Sequence, residues 1–202
     1  DRATQAILPL RGKILNVASA TGDKLKNNKE LSDLLQALGV KMGEKYNEDD
    51  LRYGKVVIMN DADVDGAHIA TLLMTFFYEQ MPQLVLAGRL YLALPPLYKI
   101  SHGSTHHFAA DDAEKDKILA EHFKGKKPEI GRFKGLGEML PAQLKETTMN
   151  PKKRKMMQVQ LASMAEARSL VTRLMGKDPS QRLNFIRENA SAQLGLSSQL
   201  DI

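Results

Sequence analysis

Apolar residues recur along this chain with two different periods. Leu31, Leu34, Leu35 and Leu38 fall at helical spacing, with Asn28 before them and Gly39 after them as capping residues. Lys55-Val-Val-Ile-Met59 is a short β-branched run, the pattern of a buried parallel strand. A loop is expected over residues 60–66, then an unbroken apolar helix over 67–80 that Pro82 closes. Leu90-Tyr-Leu-Ala-Leu94 reads as a second strand, stopped by Pro95-Pro96. Strand, crossover helix and strand make a βαβ unit, which predicts a parallel sheet and an α/β fold class.

Beyond Pro96 the pattern loosens. Residues 101–107 read as a polar turn and 111–123 as a charged amphipathic helix. A basic connector covers 124–127, and a Gly-rich loop covers 130–138. Helices are predicted over 141–148, 164–175 and 179–188, with a strand over 156–161. The basic break at 150–155 contains Pro151, which bars a continued helix.

Composition narrows the function classes only a little. A chain of 202 residues with 43% hydrophobic content suits one or two small domains. The absence of cysteine excludes disulfides and thiolate metal sites. Apolar runs such as residues 84–87 are far too short to span a bilayer, and no signal peptide is visible, so a cytoplasmic chain with no membrane partner is expected. The formal charge of +5 points weakly to a polyanion, nucleic acid first. The ten methionines fall mainly in apolar segments and read as core filler. The chain starts at Asp1 with sequence of mid-domain character, so a fragment or processed chain is expected.

The sharpest chemical feature is Asn60-Asp-Ala-Asp-Val-Asp-Gly66, directly after the first strand. In an extended segment, side chains two apart point the same way, so Asp61, Asp63 and Asp65 are candidates to converge. Converging carboxylates repel one another unless a hard divalent cation lies between them, and Mg²⁺ is the usual one. The carboxyl end of a strand in an open α/β sheet is also where such sheets bind ligands. An EF-hand would need a Glu at the twelfth position, which here is Leu72, and a helix rather than a strand before the loop. For Asp65 alone, capping of the following helix is an equal alternative.

The run Asp61-Ala-Asp-Val-Asp-Gly-Ala-His68 resembles the second acidic motif of the Toprim domain, in the form found in type IIA topoisomerase B subunits. Three more blocks agree, in the same order: Leu8-Pro-Leu-Arg-Gly-Lys-Ile-Leu-Asn16, Pro95-Pro-Leu-Tyr-Lys99 and Arg132-Phe-Lys-Gly-Leu-Gly-Glu-Met139. The resemblance implies a Toprim domain over 1–100 (a parallel sheet flanked by helices), a connector over 101–128, and a smaller α+β C-terminal region over 129–202. It implies a two-metal Mg²⁺ site, with Asp61 at both positions, Asp63 at the second and Asp65 in support. It implies DNA as one partner and an A subunit, donor of the attacking tyrosine, as the other, in an assembly of two A and two B subunits.

One departure matters. The family's catalytic Glu belongs to a Glu-Gly-Asp-Ser-like motif upstream of the 8–16 block, and no such motif occurs here. The metal site is therefore expected to be incomplete in this stretch. ATP is expected to be used only by the family's N-terminal domain, which this stretch lacks, and the stretch alone is expected neither to bind ATP nor to cleave DNA.

Several further residues have two readings. Lys13 and Asn16 match family positions that contact DNA, though a solvated lysine and a turn asparagine are the ordinary alternative. His68 can hydrogen-bond a phosphate beside the metal, or serve structure at a helix start. Arg132 and Lys134 suit phosphate, while the loop that carries them can equally pack on the sheet. The run 152–155 is more simply a solvated charge run, and His106-His107 a surface loop. Gyrase and topoisomerase IV B subunits share all four blocks. The short stretch between Ile100 and Phe133 and the wording of 133–148 favour the topoisomerase IV branch, while the ending Gln199-Leu-Asp-Ile202 resembles the C-terminus of either B subunit. A stand-alone Toprim nuclease and a DNA-binding scaffold with structural carboxylates are the alternatives from other classes.

Overall fold

The computed structural model describes residues 1–61 and 63–193; the chain ending Gln199–Ile202 lies outside them. In chain order the elements are α1 (Gly22–Lys26), α2 (Lys29–Leu38), β1 (Val56–Ile58), α3 (Val64–Gln80), α4 (Pro82–Leu86), β2 (Leu90–Leu94), β3 (Tyr98–His102) and β4 (Thr105–Ala109). They continue with α5 (Asp112–His122), β5 (Glu129–Arg132), α6 (Pro141–Leu144), β6 (Lys155–Gln158), α7 (Met164–Met175) and α8 (Pro179–Gln193). The chain forms two compact units. One comprises Asp1–Arg52, Leu72–Leu86 and the described residues from Gln160 on; the other comprises Tyr53–Thr71 and Ala87–Val159.

In the first unit, α2 forms where its capping residues predict. Asn28 Oδ1 accepts the Leu31 N–H at 2.9 Å, and Gly39 ends the helix at φ 79°, in the left-handed region. The heptad-like spacing puts Leu31, Leu34 and Leu38 in the core. Phe76 and Phe77 are buried too, their rings edge to face at 5.6 Å. Pro82 does stop α3, but it also starts α4, because a proline at the first helical position has no N–H to lose. Neither α4 nor α1 is predicted by the apolar pattern.

The second unit holds two small sheets. In one, β1 pairs with β2 in parallel, Val56 opposite Leu90 and Ile58 opposite Leu92, which is the expected βαβ geometry. The sheet is not wholly parallel: β6 joins the other side of β2 antiparallel, Tyr91 opposite Gln158 and Leu94 opposite Lys155. An antiparallel edge on a parallel sheet is a common α/β arrangement. The other sheet runs β4-β3-β5, antiparallel throughout. Tyr98, Ile100, Ala109 and Phe123 form its core, with Ile118 and Leu119 of α5 packed against it.

Three local expectations are corrected. Residues 101–107 are not one polar turn: β3 and β4 run through them as a hairpin, with the turn confined to Gly103 and Ser104, and Gly103 at φ 61°. His106 and His107 therefore lie on a strand rather than a surface loop, and the half-buried His107 stacks on His122 with ring centroids 4.3 Å apart. The Gly-rich loop begins as strand β5, since Glu129–Arg132 pair with Ser101–Tyr98, and it ends in a 3-10 turn over Leu136–Glu138. The basic run is only partly solvated. Lys153 bonds Glu146 at 2.6 Å, and Lys155 bonds both oxygens of Glu114 at 2.7 Å.

Candidate metal and DNA site

Asp61 follows β1 and so stands at the carboxyl end of a parallel strand. The segment after it does not stay extended. Helix α3 starts at Val64, because Asp63 acts as its cap: Asp63 Oδ1 accepts the Gly66 N–H at 2.6 Å, and its carbonyl accepts the Ala67 N–H at 3.0 Å. Capping thus falls to Asp63, and Asp65 lies inside the first helical turn. The two-residue alternation that predicted convergence breaks at this point. Among the described residues, no group of three His, Cys, Asp or Glu side chains is placed to hold a metal.

Two glycines shape the space around Asp61. A Cβ on Gly66 would lie 2.1 Å from the Asp61 carbonyl oxygen, so only glycine lets the helix start against the acidic motif. A Cβ on Gly135 would lie 2.9–3.1 Å from the Asp61 carboxylate atoms. The next residue binds that carboxylate directly, the Leu136 N–H donating to Asp61 Oδ1 at 2.7 Å. The 3-10 turn that presents this amide is tied by Glu138, whose Oε2 accepts the Lys134 N–H at 2.7 Å. The loop is tied to the 95–99 block as well, since the Phe133 N–H donates to the Leu97 carbonyl at 2.8 Å. A small apolar cavity lined by Pro95, Pro96, Leu97, Phe133 and Met139 lies where they meet. Three of the four blocks therefore meet in one unit. The sequence hinted at this only through the glycines, and nothing in it pointed to the Leu136 amide.

The remaining candidates are placed as follows. His68 is exposed on the first turns of α3. Arg132 is exposed on β5, and Lys134 is exposed in the loop after it. Asp112, near Arg132, is held below the usual carboxylate range chiefly by hydrogen bonds from Lys115 and Tyr98. In the other unit, Gly12 turns the chain at φ 108° and Lys13 is exposed. Asn16 has a structural role there. Its Nδ2 donates to the Met175 carbonyl at 2.9 Å, and its Oδ1 accepts the Ala18 N–H at 3.2 Å.

The donor chemistry at Asp61 and Asp63 fits a hard divalent cation: both carboxylates are exposed, and each has its Oδ1 fixed by a backbone N–H.

Comparison with known proteins agrees with this geometry. Residues 1–94 match the Toprim domain family, and residues 125–187 match the family of the DNA gyrase B subunit carboxyl terminus. A Toprim segment followed by that region defines the class: the chain belongs to the type IIA topoisomerase B-subunit family, gyrase B-like. Within it, the chain is 62% identical to the B subunit of DNA topoisomerase 4 from Caulobacter vibrioides, over 97% of the chain and 29% of that protein. It is 54% identical to the corresponding topoisomerase 4 protein of Bartonella bacilliformis, over 100% of the chain and 29% of that protein. It is 50% identical to the B subunit of DNA gyrase from Treponema denticola, over 94% of the chain and 30% of that protein. The chain thus spans under a third of the length of the curated relatives it matches. No helix among the described residues is long and apolar enough to cross a membrane.

Proposed function

We propose that this chain is the metal-binding, DNA-cleaving part of a topoisomerase IV B subunit. It would work with an A-subunit tyrosine, in an assembly of two A and two B subunits, in ATP-dependent strand passage, decatenation and relaxation of DNA. The observation that carries this reading is the junction at Asp61, where two separate family blocks meet at the carboxyl end of a parallel strand. On this reading the Toprim part covers 1–100, 101–128 connects, and 129–202 forms the C-terminal region. ATP belongs to a separate N-terminal domain, and the protein works in the cytoplasm on nucleoid DNA.

Asp61 and Asp63 would hold Mg²⁺, with Asp65 in support and with a Glu supplied upstream of the 8–16 block. When bound, Mg²⁺ stabilises the charge that develops on the reacting phosphate and the leaving oxygen. The chain's own residues do the positioning. Asp63 fixes the start of α3, and the exposed His68 lies in its first turns, where it can donate a hydrogen bond to a phosphate oxygen. Arg132, Lys134 and Lys13 supply cations for phosphates that do not react, and Asn16 would touch DNA only with the hydrogen-bonding capacity that its bonds to Met175 and Ala18 leave. Phosphoryl transfer depends mainly on such positioning and charge neutralisation, so the nucleophile can come from another chain.

The test is Mg²⁺-dependent cleavage of supercoiled DNA by the full-length B subunit with its A subunit. Wild type is expected to cleave with protein covalently attached, and only when the A subunit is present. Asp63→Asn is expected to lose cleavage by about 10²-fold or more. Nicking without the A subunit would instead indicate a stand-alone Toprim nuclease, and full cleavage by Asp63→Asn would refute the role of the acidic cluster. Gyrase is the second reading, favoured by the 50% identity to a gyrase relative. ATP-driven negative supercoiling of relaxed DNA would select it.

A further inference from the structure

We infer that the Gly135-Leu136 peptide is a positioning element for Asp61: it pins one carboxylate oxygen and leaves the other for the cation. This rests on the reading of Asp61 as a metal ligand.

The geometry is specific. The Leu136 N–H donates to Asp61 Oδ1 at 2.7 Å, and Asp61 Oδ2 has no hydrogen-bond partner among the described residues. The N–H takes up one lone pair of Oδ1 and leaves both lone pairs of Oδ2, so the peptide orients the carboxylate with Oδ2 as the less encumbered atom for the cation. Such outer partners orient a ligand before the metal arrives, and losing one typically weakens metal binding by about 10–100-fold. Gly135 makes the approach possible. A Cβ there would lie 2.9 Å from Asp61 Cγ, 3.0 Å from Oδ1 and 3.1 Å from Oδ2. The requirement is not conformational, since Gly135 sits at φ −161° and ψ 170°, extended backbone that any residue adopts. It is a requirement for empty space beside a carboxylate. Glu138 completes the device by accepting the Lys134 N–H at 2.7 Å, which closes the loop around the peptide. Gly137, two residues on, has nothing within 4 Å of where its Cβ would stand.

The contrast between these two glycines makes the inference testable. The full-length protein would be prepared as wild type, Gly135→Ala, Gly137→Ala, Glu138→Ala and Asp61→Asn. Binding of Mn²⁺ alone would be followed by electron paramagnetic resonance, and melting in EDTA would report folding. The Mg²⁺ midpoint of cleavage with the A subunit would be read alongside. Gly135→Ala is expected to weaken Mn²⁺ binding, and to raise the Mg²⁺ midpoint, by about 10–100-fold with unchanged melting. Gly137→Ala is expected to match wild type. If Gly135→Ala melts early, exposed Glu138→Ala, which removes the acceptor of the Lys134 N–H, decides instead, with weakening of several-fold expected. Equal Mn²⁺ affinity in wild type and the deciding variant, or an equal loss in Gly137→Ala, would overturn the inference. The same result with Asp61→Asn still unable to bind would leave the metal reading intact. Normal Mn²⁺ binding by Asp61→Asn would overturn both.

Discussion

Asn28 shows how much a single side chain can fix. Its Oδ1 accepts the Leu31 N–H, so the first turn of α2 forms where Leu31 enters the core. Asn28→Ala is expected to cost about 1 kcal/mol of stability, measured by chemical denaturation, without changing metal binding. This residue was legible because capping is local: donor and acceptor lie three positions apart. The same locality limited the reading of the acidic motif. Asp61, Asp63 and Asp65 were visible as a cluster, yet their alternation assumed an extended chain. Asp63 ended that extension by capping α3 with its own carboxylate. The Leu136 amide was not legible at all, because it is a backbone group 75 positions from the side chain it binds. Side-chain identity carries no signal for such a contact beyond the adjacent glycines.

Elements with a strong period were found close to their true bounds, as α2, β1, β2, α5 and α7 show. The hairpin β3–β4 was missed because its residues 101–107 are polar; backbone pairing to β3 and β5, not apolar alternation, holds them. Between α5 and β6 the tie is ionic. Glu114 is held below the usual carboxylate range first by Lys155 and next by the Ala110 N–H. Glu146 is lowered first by Lys153 and next by His106. These pairs line a cleft of about 380 Å³ together with His107 and Phe108. Because the folded carboxylates release their protons more readily than unfolded ones, their stabilisation is complete above the unfolded value of about 4.3 and fades as pH falls through the lower folded values. A thermal melting series from pH 5 to about 3 is therefore expected to show a shallower decline in Glu114→Gln than in wild type. The difference should be small, about 0.2–1 kcal/mol, because the side chains of Glu114 and Lys155 are 33% and 53% exposed. Equal slopes would mean that the pair contributes nothing measurable.

At the scale of the whole molecule, the net charge of +5 gains meaning from where its exposed cations lie. Arg132 and Lys134 flank the loop that reaches Asp61. If each meets a phosphate, Arg132→Ala and Lys134→Ala should each flatten the plot of log affinity against log salt by about 0.9 for duplex DNA. Unchanged slopes in the full-length protein would mean that these cations serve only the loop. The connector after α5 has a different kind of consequence. The buried Phe123 anchors its start, Gly125 bends it at φ 74°, and Glu129 resumes pairing opposite Ser101. Both ends are thus held by the same small sheet, while Lys124, Lys126 and Lys127 between them are exposed. Closing a loop becomes only about 0.6 kcal/mol more costly with each doubling of its length. This sheet can therefore host a long graft at the connector, even a whole inserted domain, without disturbing the strands that deliver Gly135 to Asp61. Lineages of one enzyme can then diverge in bulk at that point while keeping the same chemical centre.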